Sequence, residues 1–320
     1  MLDFFGDIGH AIMTPLYYAV SFVLVGIHQL LSTFMDEAGG ATWVLSIVGL
    51  TLVIRTALIP LFVKQIKSSR NMQLIQPKVR ELQKKYGHDR EKLAQETMKL
   101  YKDSGTNPFA SCLPILLQMP IFLALFRMLD QASKKGKAHG FLNEELAKQF
   151  GDSRLFDKIP VSGTFLSADG QVGIMALAAV LVVGMTATTF LTQRQLMSKN
   201  MPADALSGPY AQQQKMLLYV LPVVFAVGGI AFPIGVLFYW TVSNLWTMGQ
   251  QFYVIRNNPA PGTPAATAKE ERVKAKAARK GLQPAELAEV DASPAEQPQP
   301  LRQQPQRQTK SQRNKNKKKR

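Results

Sequence analysis

Residues 43–63 read WVLSIVGLTLVIRTALIPLFV, a run of 21 residues in which Arg55 is the single charge. A helix of about 20 apolar residues crosses the roughly 30 Å hydrocarbon core of a bilayer, so this run predicts a transmembrane span. An arginine near the centre of a span costs about 2.5–3.5 kcal/mol in insertion experiments. Such a charge inside a membrane indicates a functional site.

Four further apolar runs are long enough to span, or nearly so, and they cover residues 109–129, 172–192, 216–232 and 234–255. Pro233 and Gly235 predict a tight reversal that joins the last two runs as a transmembrane hairpin. With the 43–63 run, these segments predict an all-α membrane protein with five transmembrane helices.

Residues 17–34 form a sixth apolar segment, and the sequence leaves its position open. Ser21, His28 and Ser32 recur on one helical stripe, which leaves a long apolar face and a narrow polar one. A helix of that kind lies in the membrane interface, so we predict an interfacial amphipathic helix at about 14–35. A sixth transmembrane span is the alternative.

Lysine and arginine are unevenly distributed between the predicted spans. Residues 1–42 contain none, residues 64–107 contain eleven, residues 130–171 contain six against six acids, and residues 193–215 contain three. Because cytoplasmic loops are the richer ones, the N-terminus and 130–171 are predicted outside a bacterial cell membrane. The two basic loops and the C-terminus are predicted in the cytoplasm.

The basic segment 64–107 has its own helical pattern. Its apolar positions share one face, at Ile75, Val79, Leu82 and Tyr86. Gly87 is suited to end this helix and Asp89 to begin the next one. The segment therefore predicts a charged helical hairpin that projects into the cytoplasm and offers a docking surface.

Residues 256–320 predict a disordered basic tail. They carry 16 Lys and Arg against 6 Asp and Glu, are rich in Ala, Pro and Gln, and show no apolar periodicity. The tail ends in a cluster of cations, Lys315, Lys317, Lys318, Lys319 and Arg320. Such a cluster binds either the phosphates of ribosomal RNA or the head groups of anionic lipids.

The residues of the chain favour neither an enzyme nor a protein with a cofactor or metal. Catalytic motifs such as H-E-x-x-H and G-x-S-x-G are absent, and Cys112 is the single cysteine, so no disulfide framework exists. None of the five predicted spans contains Asp or Glu. Proton-coupled transporters and intramembrane aspartyl proteases need carboxylates there, which argues against both.

Without a carboxylate partner, Arg55 is predicted to face a hydrated cavity that opens to the cytoplasm. The polar side chains that could line it are Thr51, Gln118, Ser243 and Asn244. The alternative is that Arg55 bonds carbonyls inside the bundle, with Gln118 and Asn244 acting in helix packing. A small-solute channel or transporter, particularly for anions, would use the same kind of cavity.

Several motifs resemble those of the YidC/Oxa/Alb membrane protein insertases. They are IRTALIPL at 54–61, QPK at 76–78, NP at 107–108, CLP at 112–114, QMPIF at 118–122, FPIG at 232–235 and YWTVSN at 239–244. The resemblance covers roughly residues 13–255, with the motifs in the same order and spacing as in that family.

This resemblance implies a groove that is open to the cytoplasm and to lipid, with Arg55 as its positive charge and Thr51 and Gln118 in its lining. Apolar and aromatic side chains at Phe232, Tyr239 and Trp240 would contact the transmembrane segment of a client. The implied partners are nascent membrane proteins, the Sec translocon and the ribosome, and an assembly chaperone would have the same features. The chain lacks the large extracytoplasmic domain and the lipid-accepting cysteine of other members, so it resembles Gram-positive, actinobacterial forms.

Overall fold

The computed structural model describes residues 2–105, 113–201 and 209–280, and most of these residues are helical. The helices are α1 (Leu2–Ser32), α2 (Gly40–Ala57), α3 (Ile59–Tyr86), α4 (Arg90–Asp103), α5 (Leu113–Lys135), α6 (Glu144–Asp152), α7 (Val172–Asn200), α8 (Pro209–Gly229), α9 (Ile234–Asn257) and α10 (Pro264–Lys280). Two strands, β1 (Arg154–Leu155) and β2 (Ile159–Pro160), form one antiparallel hairpin. The chain divides into two units, residues 1–269 and 270–320, and the helical bundle belongs to the first.

Three segments of the described chain are long and apolar enough to cross a membrane. They are Met13–Ser32, Gly40–Ala57 and Val172–Asn200, and Leu218–Gly229 is a shorter apolar helix. Length and composition therefore support α2 and α7 as spans and leave α1 open between a span and an interfacial helix. The count of five spans stays a prediction.

The centre of the bundle is α9, which packs against α2, α5 and α7, while α8 packs against α7 and α1 packs against α2 and α5. One apolar core joins α1, α2, α5, α7 and α9, with the fully buried side chains Leu24, Trp43, Leu125, Ala178 and Leu237. Since lipid is as apolar as these side chains, close packing holds such helices together inside a membrane.

The predicted span at 43–63 is not one uninterrupted helix. The helix is interrupted at Leu58, where α2 ends and α3 begins. Pro60 is the second residue of α3. Proline has no N–H to donate to the carbonyl four residues earlier, here that of Thr56, and its ring crowds that carbonyl. Arg55 consequently lies in the last turn of α2 rather than near the middle of a longer helix.

The basic segment after this break consists of two helices, α3 and α4, which pack against each other. The second helix is capped by Asp89, whose side chain accepts a hydrogen bond of 3.0 Å from the backbone N–H of Lys92. This contact satisfies one of the donors left open at a helix start. The hairpin begins inside the predicted span, since α3 starts at Ile59.

The predicted extracytoplasmic loop at 130–171 is an ordered part of the core. It contains α6 and the β1–β2 hairpin, and Leu142, Phe150 and Val161 are buried in the same cluster as the helices. The hairpin lies at the end of the bundle where α2, α7 and α9 begin and α5 ends, and we call this the β end. Neither short strand was predicted, because two residues are too few to show an alternating pattern.

Two predicted segments contain more helix than the sequence indicated, because helices continue beyond the apolar runs. The loop predicted at 193–215 is helical up to Asn200 and again from Pro209, while residues 202–208 lie outside the described part of the chain. The tail predicted to be disordered from residue 256 contains α10, which is rich in Ala, Lys, Glu and Arg. These are strong helix formers, and without an apolar face the segment shows no apolar periodicity that would predict a helix.

His139 follows α5 at the β end, and its ring makes two contacts. Its Nε2 lies 2.7 Å from Gln131 Oε1, and its ring lies 4.6 Å from that of Tyr17 in α1. Partial burial lowers the pKa of His139 below its ordinary value of 6.5, and the positive charges of Lys137 and Arg127 lower it further. The folded chain therefore binds a proton at His139 less readily than the unfolded chain does.

We expect the unfolding temperature to fall as the pH drops below about 6.5, because a group with a lowered folded pKa stabilises the fold fully only above its unfolded pKa. Replacing His139 by glutamine removes this titration, so the variant should lose less stability between pH 7.5 and pH 5 than the unmodified protein. Thermal unfolding in detergent at a series of pH values measures both. Parallel curves for the two proteins would contradict the prediction.

Candidate functional site

Arg55 joins α2 to α9 through a side-chain hydrogen bond, since its Nη2 donates to the Ser243 hydroxyl oxygen. Tyr239 lies one helical turn before Ser243 on the same face of α9, and its hydroxyl interacts electrostatically with the guanidinium. The Tyr239 side chain is only 4% exposed. Arg55, Ser243 and Tyr239 therefore form a polar cluster inside an otherwise apolar bundle.

Gln118, in the first half of α5, completes this polar cluster. Its side chain and that of Ser243 both reach the Tyr239 hydroxyl. The Gln118 Oε1 atom is buried and has no hydrogen-bond partner among the described residues. A buried acceptor of this kind ordinarily binds another group or a water molecule, so the cluster has capacity for a further polar partner.

The electrostatic environment of Arg55 comes from backbone and hydroxyl groups. No carboxylate of residues 2–105, 113–201 or 209–280 forms an ion pair with it; its hydrogen bond goes to a serine. The last turn of α2 supplies the negative end of a helix dipole, which favours a cation by about 0.3–1 kcal/mol at an exposed site. The Ile54 and Thr56 carbonyls at this helix end accept hydrogen bonds from backbone N–H groups at the C-cap.

Two residues predicted to line the cavity bond elsewhere. The Thr51 hydroxyl donates to the Ile47 carbonyl of its own helix at 2.7 Å, and its side chain is buried. The Asn244 amide donates to the Met185 carbonyl at 3.3 Å and to the Thr189 hydroxyl at 3.0 Å, which ties α9 to α7. Asn244 thus makes the helix-packing contacts that the sequence left as the alternative to a groove residue.

Trp240 is the centre of a group of half-buried aromatic rings that joins α5, α8 and α9. The centroid of its ring lies 5.1 Å from that of Phe122, 4.8 Å from that of Phe225 and 5.7 Å from that of Phe232. Phe126 contacts Phe232 at 5.1 Å. Phe122, Phe126 and Phe225 were not predicted, because phenylalanine in an apolar run looks the same whether it faces lipid, core or a client.

Tyr239 was predicted with the apolar client-contacting residues, but the structure puts its hydroxyl in the polar cluster. Its four-residue spacing from Ser243 could have indicated this, because residues four apart share a helix face. The basic residues from Lys315 to Arg320, and Cys112, lie outside the described part of the chain.

The chain matches a protein-family model and is similar to named relatives. Residues 34–261 match the model of the family described as 60Kd inner membrane protein. A protein of Streptomyces avermitilis named membrane protein insertase YidC is 47% identical over 262 residues, which cover 79% of this chain and 60% of that protein. A protein of Tropheryma whipplei (strain Twist) with the same name is 39% identical over 287 residues, 85% of this chain and 93% of the relative.

The chain thus spans about three fifths of the Streptomyces protein and nearly all of the Tropheryma protein. Among solved structures, an active YidC insertase with its first transmembrane domain resolved has a TM-score of 0.45 and is 22% identical. That comparison covers 73% of this chain and 46% of the other.

Proposed function

Since this chain belongs to the YidC or 60Kd inner membrane protein family, we propose that it is a membrane protein insertase, the activity that names its curated relatives. Those relatives and the apolar helices indicate a multi-pass protein of the cell membrane. The observation that carries the proposal furthest is the polar cluster of Arg55, Ser243, Tyr239 and Gln118, which lies within the bundle and contains no carboxylate.

The physical task of an insertase is to carry a short polar tail of a client across an apolar layer. An unpaired charge in hydrocarbon costs several kcal/mol, whereas the same charge in a hydrated groove keeps much of its solvation. Arg55 would attract an acidic tail into such a groove, and Gln118 would hold water or the tail by its unpaired oxygen. Burial of about 20 apolar residues of the client in lipid would then drive completion without a nucleotide.

The aromatic side chains around Trp240 would form the path along which the apolar part of the client moves. These rings bridge α5 to α8 and α9, and their half-buried state leaves faces for a further helix. Aromatic rings bind aliphatic side chains through large contact areas. The client segment would pass along Phe122, Phe225, Phe232 and Trp240 while its polar tail is held near Arg55.

We further propose five spans, α2, α5, α7, α8 and α9, with the N-terminus outside and the C-terminus in the cytoplasm. The contacts of α1 support an interfacial position for that helix. Tyr17 contacts His139 just past the end of α5, and His28, eleven residues later, stacks on Trp43 near the start of α2. A helix that crossed the bilayer would carry two such residues to depths about 16 Å apart, whereas both contacts are at the β end.

The α3–α4 hairpin would then face the cytoplasm with its excess of cations and receive the nascent chain. The basic tail would dock the ribosome or anionic lipid, and the Sec translocon would deliver some clients. These partners follow from charge and from the family, and each can be tested by deleting the segment concerned.

Reconstitution of the purified protein into liposomes without other proteins tests the proposal. We expect a small single-span client, synthesised outside the vesicles, to become protected from protease in proportion to the amount of protein reconstituted. The matched control is the same protein after heat denaturation. Passage of small anions without client protection would instead support the channel function. Client protection only in the presence of the Sec translocon would support the assembly chaperone.

A further inference from the structure

The turn of the β1–β2 hairpin has an unusual backbone. Phe156 and Asp157 are its two central residues, with φ of 54° and 59°, and the Lys158 N–H donates to the Leu155 carbonyl at 3.1 Å. Turns with two left-handed central residues favour Asn-Gly, because a side chain on a left-handed residue crowds its own carbonyl. A phenylalanine at this position therefore has an unfavourable backbone conformation, and no contact within the turn explains why phenylalanine occurs there.

The left-handed turn directs the phenylalanine away from the protein. Phe156 is 83% exposed, while its neighbour Leu155 is buried in the core. An aromatic ring at this position would be unfavourable in water for two reasons, because its apolar surface is exposed and because its backbone is strained. Strained residues of this kind occur where the side chain is used for binding.

The hairpin and the segment directly after it are attached to two helices at the β end. The first N–H groups of α9, those of Ile234 and Gly235, donate to the carbonyls of Gly163 and Val161 at 2.9 and 3.0 Å. The backbone of Arg154 passes so close to Gly40, the first residue of α2, that any side chain there would overlap it. Phe156 thus lies close to the starts of α2 and α9, two helices that we propose as spans.

A phenylalanine ring flanked by cations suits the boundary between head groups and acyl chains, because the apolar ring reaches the acyl chains while the cations stay among the head groups. Arg154 and Lys158, on either side of Phe156, are exposed cations that suit lipid phosphates. Other exposed aromatic side chains lie at the β end too, namely Phe141 and the two rings that contact it, Tyr18 and Phe22.

We propose that Phe156 inserts into the lipid head-group region at the β end and, with Arg154 and Lys158, anchors the hairpin to the bilayer surface. The hairpin then holds the bundle at a fixed depth, because Val161 and Gly163, directly after β2, accept hydrogen bonds from the start of α9. This role is independent of client insertion.

The single cysteine of the chain allows a direct test by spin labelling. In a Cys112→Ala background, a nitroxide is attached to Phe156→Cys in vesicles of phosphatidylethanolamine and phosphatidylglycerol, and its collisions with oxygen and with an aqueous nickel complex are measured. Val180→Cys, on an exposed position of α7, serves as the lipid reference, and Lys99→Cys, on the charged face of α4, as the aqueous reference.

We expect the ratio of oxygen to nickel collisions at position 156 to be several times that at position 99 and below that at position 180. A ratio equal to the aqueous reference overturns the proposal, whether the ring is then free in water or awaits a protein partner.

A second measurement keeps the aromatic ring, in case cysteine alters the turn. Benzoyl-phenylalanine at position 156, activated by light in the same vesicles, should form lipid adducts detectable by mass. The same reagent at position 180 is the positive control. Adducts at 180 without adducts at 156 would also overturn the proposal.

Discussion

Insertion of a client with an acidic translocated tail is expected to slow by roughly tenfold to hundredfold when Arg55 is replaced by alanine. The change removes the cation of the polar cluster, and a hydrogen bond to a charged group contributes about 1.5–3 kcal/mol. The initial rate of client protection in liposomes measures the effect. Clients whose translocated tails are neutral should be affected much less, because they have no charge for Arg55 to attract.

Two variants separate charge from position in this experiment. Arg55→Lys keeps the charge and should retain most of the rate, whereas a loss as large as that of Arg55→Ala would show that attraction of charge is the wrong account. Arg127→Ala is the matched control, because Arg127 is an exposed arginine of α5 and its loss changes the net charge equally. The Arg127→Ala variant should insert clients at the unmodified rate.

Replacing Gly40 by alanine is expected to lower the free energy of unfolding by about 1–3 kcal/mol, the usual cost of overpacking. A Cβ atom at this position would lie 2.4 Å from the Arg154 carbonyl carbon and 2.6 Å from the Leu155 nitrogen. Both contacts are with backbone, which cannot swing aside as a flexible side chain can. The β1–β2 hairpin would have to move away from α2, and thermal unfolding in detergent measures the loss.

Gly184→Ala in α7 is the control for this substitution. Its Cβ would meet no atom within 4 Å, so only the higher helix propensity of alanine acts there. That propensity is worth about 0.5–1 kcal/mol in a helix interior, so Gly184→Ala should be neutral or stabilising. A Gly40→Ala protein as stable as the Gly184→Ala protein would mean that the hairpin does not rest on α2.

Contiguous patterns in the sequence predicted the helical class, the turn before α9 and the family resemblance. Apolar runs and short motifs are local properties, so they can be recognised along the chain without knowing what each residue contacts. The same method placed helix ends poorly. Backbone bonding and helix propensity decide the interruption at Leu58, the extension of α7 and the helix α10. Neither property appears as an apolar run in the sequence.

The sequence alone predicted a membrane-embedded arginine without an intramembrane carboxylate, because charge and span length can be read directly, and such a charge needs another way to be stabilised. Which groups stabilise it was decided only by the tertiary structure. Ser243, Tyr239 and Gln118 come from distant parts of the chain, and packing of α2, α5 and α9 brings them to Arg55. Packing likewise directs Asn244 away from Arg55 toward α7, since a helix has several faces and only its neighbours determine which partner each face meets.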